Sequence, residues 1–253
     1  MELEQRDDIT EDTISGGDLT IYQRREGYRF GLDGVLLSTD LPELPEAPTI
    51  IDFGSGQGIV ALCLASRFPD ARVLAVERQD SLFELLEANI AENGLGGRVD
   101  PLQADLRNFR GHLQPHTADL VICNPPYYRK GERRRSDNAE KAAARNELAG
   151  TLADFIDAAS YVLDQRGYLK VILPPLRMGD LFGAVEATDL SFAWTRFFHS
   201  REGEDAYLME SVLRRGGAAD IRVRAPLIVY DGEDYGPEVR HRVDGAAAPV
   251  GEA

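Results

Sequence analysis

Four strand-like runs in this chain, three of them apolar and one weaker, each stop at a group that can hold a ligand. Thr49-Ile50-Ile51 runs into Asp52-Phe53-Gly54-Ser55-Gly56-Gln57-Gly58, and Ala71 to Val76 stops at Glu77. Gly97 to Ala104 stops at Asp105, and Ala118 to Cys123 stops at Asn124. Glycines let the backbone turn tightly and let a ligand come close. A carboxylate after the second run stands where a ribose diol would be held. The last stop is the most elaborate: Asn124-Pro125-Pro126-Tyr127-Tyr128, then five basic residues in the next seven, Arg129, Lys130, Arg133, Arg134 and Arg135. Proline fixes φ and lacks an N–H, so such a loop holds carbonyl acceptors in place. Tyrosine can stack on a base. The run of cations could meet phosphates or be an ordinary solvated loop. Each feature also has a plain meaning: an ordinary turn, a solvated strand end, a turn cap, a rigid loop, a solvated charge run. Together, in order, at successive strand ends, they are harder to dismiss.

Those groups need a scaffold that brings strand ends together. Strands at Thr49–Phe53, Ala71–Glu77, Gly97–Ala104, Ala118–Cys123 and Gly167–Leu173 alternate with helices at Ile59–Phe68, Ser81–Glu92 and Leu152–Leu163. Repeated alternation implies a parallel sheet with helices on both faces, which binds ligands at the carboxyl ends of its strands. From Ser191 the pattern becomes strand after strand (SFAWTRFFHS, AYLMESVLRR, IRVRAPLIVY), which predicts an antiparallel end. A single domain is expected over 19–243. Residues 1–12 hold six carboxylates against one arginine, so 1–18 is expected to be a disordered tail, as is 244–253. The polar stretch Gly131–Gly150 is expected to form a loop or short helix over the site and to order on RNA.

Composition narrows the class. Hydrophobic residues make up 43%, enough for a core, and no apolar run is long enough to span a membrane. The acidic N-terminus lacks the apolar segment of a signal peptide. Two isolated cysteines and four scattered histidines give no disulfide framework and no metal spacing, and they fit a reducing cytoplasm. A net charge of −15 argues against nucleic acid as partner, whereas the basic run after Tyr128 argues for it. The glycine loop departs from GxGxxG, because Ile59 holds the last position and Gly58 comes one residue early. That disfavours a nicotinamide-dependent oxidoreductase.

Together, DFGSGQG, Glu77, Asp105 and NPPYY resemble the class I S-adenosylmethionine-dependent methyltransferases, in the branch whose NPPY loop acts on adenine N6 or a glutamine amide. The likeness runs from about Tyr28 to about Tyr235. Gly27 to Leu37 (GYRFGLDGVLL) and the ending APLIVYDGEDYGPEVR are similar to the tRNA adenine-N6 methyltransferases that modify the anticodon loop of a valine tRNA. The resemblance implies a Rossmann-like α/β fold with a mostly parallel seven-stranded sheet. It implies S-adenosylmethionine as cofactor, RNA (a tRNA) as substrate, and no metal. In the catalytic roles it implies, the Asn124 side-chain oxygen and the Pro125 carbonyl accept both hydrogens of the base's exocyclic amine. The delocalised lone pair then turns toward the methyl group, and no strong general base is required. Tyr127 stacks on the flipped base, a contact worth about 1–3 kcal/mol. The implied cofactor site is Asp33, Asp52, Gly54, Gly56, Gly58, Glu77, Asp105 and Asn124. Glu77 would take the ribose hydroxyls, Asp105 the adenine amine, and Asp33 would lie near the methionine end. Asp33 reads equally as a helix cap. Pro126, Tyr128, Arg129, Lys130, Arg133, Arg134 and Arg135 would meet the substrate.

Alternatives stay open. A release-factor glutamine methyltransferase also uses NPPY, but only about 48 residues precede the first strand of the expected sheet, too few for the usual helical domain. A guanine-N2 RNA methyltransferase tends to carry phenylalanine where Tyr127 stands. A non-catalytic, cofactor-binding RNA module would need a damaged motif.

Overall fold

Apolar residues on alternating faces of the strands build two cores with one sheet between them. The structure, a computed structural model, describes residues 7–14, 17–26, 29–127, 150–217 and 221–245. A hairpin of β1 (Ile9–Ile14) and β2 (Leu19–Arg24) precedes helix α1 (Leu32–Leu37). Then follow β3 (Thr49–Phe53), α2 (Ile59–Arg67), β4 (Arg72–Glu77), α3 (Asp80–Glu92), β5 (Val99–Gln103) and β6 (Ala118–Cys123). After the undescribed residues 128–149 come α4 (Leu152–Val162), β7 (Leu163–Leu173), α5 (Met178–Glu186), β8 (Leu190–His199) and β9 (Ala206–Arg215). Two-residue strands β10 (Arg222–Val223) and β11 (Leu227–Ile228), a small hairpin and α6 (Pro237–Asp244) close the described chain.

The sheet runs β8-β9-β7-β6-β3-β4-β5 through its seven long strands, with β10 and β11 added along β8. Pairings from β7 through β6, β3 and β4 to β5 are parallel, and β7–β9 and β8–β9 are antiparallel. Ile50, Leu120 and Ile122 face one core, with α1, α2 and the inner face of α3. Ile51, Val121 and Cys123 face the other, with α4 and α5. Period-two alternation on central strands is what places helices on both faces. The strand order reverses between β3 and β6, because the chain runs outward from β3 to β4 and β5 and then returns to β6 on the other side, and this switch point leaves a cleft at their carboxyl ends.

Two expectations change. Residues 9–14, expected in a disordered tail, form a strand. Ile9 and Ile14 are buried, and the acidic positions face outward, where Asp12 pairs with Arg29 at 3.0 Å. Charge therefore does not oppose the pairing. The stretch from Arg222 to Ile228, expected to extend the antiparallel end, instead gives two short strands parallel to β8. Pro226 lies between them and cannot donate to a ladder. Cys63 and Cys123 are buried and free. Among the described residues no helix is long and apolar enough to cross a membrane, and no group of side chains could hold a metal.

Candidate active site

The glycine loop between β3 and α2 is built from conformations that favour glycine. Gly54, Gly56 and Gly58 have φ of +72°, +60° and +97°. A Cβ on Gly58 would lie 2.7 Å from Leu86 Cδ1, so this position also needs glycine for space. Asp52 braces the loop from beneath: it is buried and accepts from Ser55 Oγ at 2.6 Å. Burial pushes its carboxyl up to about 7.

Glu77 sits at the end of β4 and is 5% exposed. One oxygen accepts from Gly56 N–H at 2.9 Å, the other from Arg78 and Gln79 N–H at 2.8 and 2.7 Å. Burial pushes its carboxyl up, against those three donors. The donors fix the carboxylate yet leave it lone-pair capacity. The same cleft is lined by Val76, Leu82, Ala104 and Leu106, and by Ile59, Val60 and Phe155. Apolar walls meeting a fixed carboxylate fit a nucleoside: a flat ring between the walls and hydroxyls on Glu77.

Asp105 lies between two wall residues, but its carboxylate is committed to Arg107. The guanidinium reaches it at 2.5–3.1 Å, and the Arg107 N–H donates at 3.0 Å. Hydrogen bonding to Arg107 holds the Asp105 carboxyl below the usual carboxylate range.

Asn124 and Pro126 line the cleft at the end of β6. Asp33, in the first turn of α1, reaches this loop. Tyr127 donates its hydroxyl to Asp33 Oδ2 at 2.5 Å, and Asn124 Nδ2 donates to the same oxygen at 3.5 Å. With an amide hydrogen taken by Asp33, the Asn124 side-chain oxygen is left to accept. The Tyr127 ring packs against the core on the α1–α2 side. Of the expected site residues, the structure thus brings Asp33, Asp52, Gly54, Gly56, Gly58, Glu77, Asn124, Pro125, Pro126 and Tyr127 to one region. Tyr128, Arg129, Lys130, Arg133, Arg134 and Arg135, with the proposed cover at Gly131 and beyond, lie outside the described residues.

Two contributions escaped the sequence reading. Arg177, after β7, is buried and donates to the carbonyls of Pro126 and Tyr127 at 3.2 and 3.1 Å. Its only sequence signal is a basic residue just past a strand end. The N-terminal hairpin also supports the cleft. Asn89 of α3 pairs with both backbone groups of Tyr22, and Gln23 accepts from Gln57 of the glycine loop at 3.2 Å.

Residues 33–176 match the family model of the methyltransferase small domain. The tRNA1(Val) (adenine(37)-N6)-methyltransferase of Porphyromonas gingivalis is 33% identical over 161 residues, 60% of this chain and 61% of that protein. The protein of the same name from Flavobacteriaceae bacterium strain 3519-10 is 31% identical over 156 residues, 61% and 63% of the two chains. The chain thus spans under two thirds of the length of these curated relatives. Among solved structures, a predicted O-methyltransferase from Agrobacterium tumefaciens superposes with a TM-score of 0.68 at 24% identity, over 86% of this chain and 97% of that one. P. horikoshii TYW2 in complex with MeSAdo gives 0.58 at 15%, over 84% and 73%. Both structural likenesses are of fold.

Proposed function

This chain belongs to the methyltransferase small-domain family, and from that premise we propose that it methylates N6 of an adenine in tRNA, in the cytoplasm, using S-adenosylmethionine. The observation that carries the proposal is the Asn124–Tyr127 loop opening onto the same cleft as the glycine loop and Glu77. The relatives' printed name, an adenine(37)-N6 activity on tRNA1(Val), supports the choice of base and RNA.

Bound S-adenosylmethionine would supply an electrophilic methyl group on a sulfonium. Glu77 would hold its ribose, the apolar walls its adenine, and the glycine loop the methionine side. At the substrate, Asn124 and the Pro125 carbonyl would accept the two amine hydrogens and aim the lone pair. Asp33 would keep Asn124 oriented. Asp105 would meet the cofactor amine only by sharing its carboxylate with Arg107. The basic residues after Tyr127 would meet RNA phosphates.

The test is label transfer from radiolabelled S-adenosylmethionine to unmodified tRNA, ribosomal RNA and a release factor, with digestion to nucleosides. N6-methyladenosine from tRNA, lost in Asn124→Ala, is the expected result. Label in the release factor would move the substrate to a glutamine amide, and label in guanine would move it to N2.

A further inference from the structure

We propose that Arg177 is a positioning residue for methyl transfer, clamping the main chain of the Asn124–Tyr127 loop so that its acceptors stay aimed. The proposal rests on the methylation reading for its rate readout and on the structure for its geometry.

Pro125 and Pro126 explain why a clamp is needed. A loop of this length ordinarily braces itself with N–H to C=O bonds across the turn. Two consecutive prolines remove two donors, so its carbonyls must find donors elsewhere. Arg177 supplies them. It ends the short turn Pro175–Arg177 that follows β7, the strand beside β6. Its Nη1 donates to the carbonyls of Pro126 and Tyr127 at 3.2 and 3.1 Å, and its Nε donates to Asp180 at 2.6 Å. The residue is 2% exposed, so the guanidinium is held among these acceptors away from water.

The clamp bears on the acceptor one peptide earlier. The Pro126 ring fixes φ, so mainly ψ of Pro126 separates the held peptide plane from the plane that carries the Pro125 carbonyl. Holding Pro126 and Tyr127 therefore restricts the direction of Pro125. Asp33 acts separately, on the side chains of Asn124 and Tyr127. Arg177 does not line the cleft and would leave cofactor binding alone. Lysine cannot substitute, because a point charge on a flexible stem does not reproduce a planar fork reaching two carbonyls and a carboxylate at once.

The experiment compares the full chain with Arg177→Ala and Arg177→Lys by three readouts: kcat on an unmodified tRNA1(Val) transcript, S-adenosylmethionine Kd by calorimetry, and amide exchange of the peptide containing Tyr127. A small misplacement of reacting groups costs about 100-fold in rate, and that loss of kcat is expected in both variants. The cofactor Kd should change by less than about twofold. Exchange should rise at Tyr127 and not in α2 or α3. Wild-type kcat in a folded variant, or cofactor affinity falling in step with rate, overturns the proposal. If Arg177→Ala fails to fold, Arg177→Lys decides by the same readings. If the wild type labels no tRNA, the methylation reading fails, and the exchange and Kd readings alone decide whether Arg177 clamps the loop.

Discussion

In the proposed reaction Asn124 must turn its side-chain oxygen toward the base, and Asp33 accepts one of its amide hydrogens at 3.5 Å, which fixes the orientation of the amide. The same oxygen receives the Tyr127 hydroxyl at 2.5 Å. Tyr127 therefore carries two separable contributions, a ring and a tether. Hydrogen bonds to charged groups contribute about 1.5–3 kcal/mol. Tyr127→Phe should lower kcat/KM for tRNA by about ten- to a hundredfold while keeping the ring. Tyr127→Ala should lose about a further 1–3 kcal/mol if the ring also stacks on the base. Steady-state kinetics with radiolabelled cofactor separate the two. A Tyr127→Phe enzyme as fast as wild type would remove the tether from the mechanism. Asp33 illustrates what one sequence conveys about a site: its acidic character and its place at a helix start were legible, its partner 91 residues away was not. Arg177 is the stronger case, because nothing in local spacing signals a contact with carbonyls about 50 residues earlier.

At the scale of elements, the turn from β3 into α2 combines strain-free glycine geometry with a buried acid. Gly58→Ala would put a Cβ at φ +97° and 2.7 Å from Leu86 Cδ1. Strain and overpacking together predict a loss of about 1–3 kcal/mol, read by urea denaturation, and weaker cofactor binding. Asp52 gives this element a pH signature. Folded, it keeps its proton to about pH 7; its ordinary value is 3.8. Its contribution to stability is full below pH 3.8 and declines as pH rises toward 7, because there the folded state binds the extra proton. Glu77, also raised by burial, acts in the same direction. Asp52→Asn should make the fall of the urea midpoint between about pH 4 and 7 shallower; an unchanged slope would assign that pH dependence to other groups. The glycine loop, Glu77 and the parallel strands were legible because periodicity and glycine spacing are local. The N-terminal strand was not: its composition is acidic, and only the pairing with Leu19–Arg24 and the packing of Ile9 and Ile14 show why it folds.

Across the whole molecule, one buried charge cluster ties the site to the far end of the chain. Lys170 of β7 and Glu210 of β9 are fully buried and 2.9 Å apart. Arg242 of α6 reaches Glu210 at 3.4 Å, Leu36 O at 2.9 Å and Thr39 Oγ1 at 2.8 Å, and Lys170 also donates to Thr39 O. Leu36 and Thr39 lie at the end of α1, whose first turn carries Asp33. The cluster therefore joins β7, β9 and α6 to the helix that orients Asn124. Burial, and after it the nearby Arg242 charge, pull the Lys170 ammonium down, so its charge depends on Glu210. Removing one partner of a buried pair leaves the other uncompensated, at a cost of about 3–5 kcal/mol, whereas replacing both with apolar groups is often neutral. Glu210→Gln should accordingly lower unfolding free energy by about 3–5 kcal/mol in urea, and Lys170→Met with Glu210→Leu and Arg242→Met, which removes all three charges, should recover a large part of it. Because α1 hangs from this cluster, the single variant should also lose methyl-transfer rate at temperatures where it is still folded. A Glu210→Gln protein within about 1 kcal/mol of wild type would mean that the cluster is solvated or neutral, and that α1 is held by its apolar face alone.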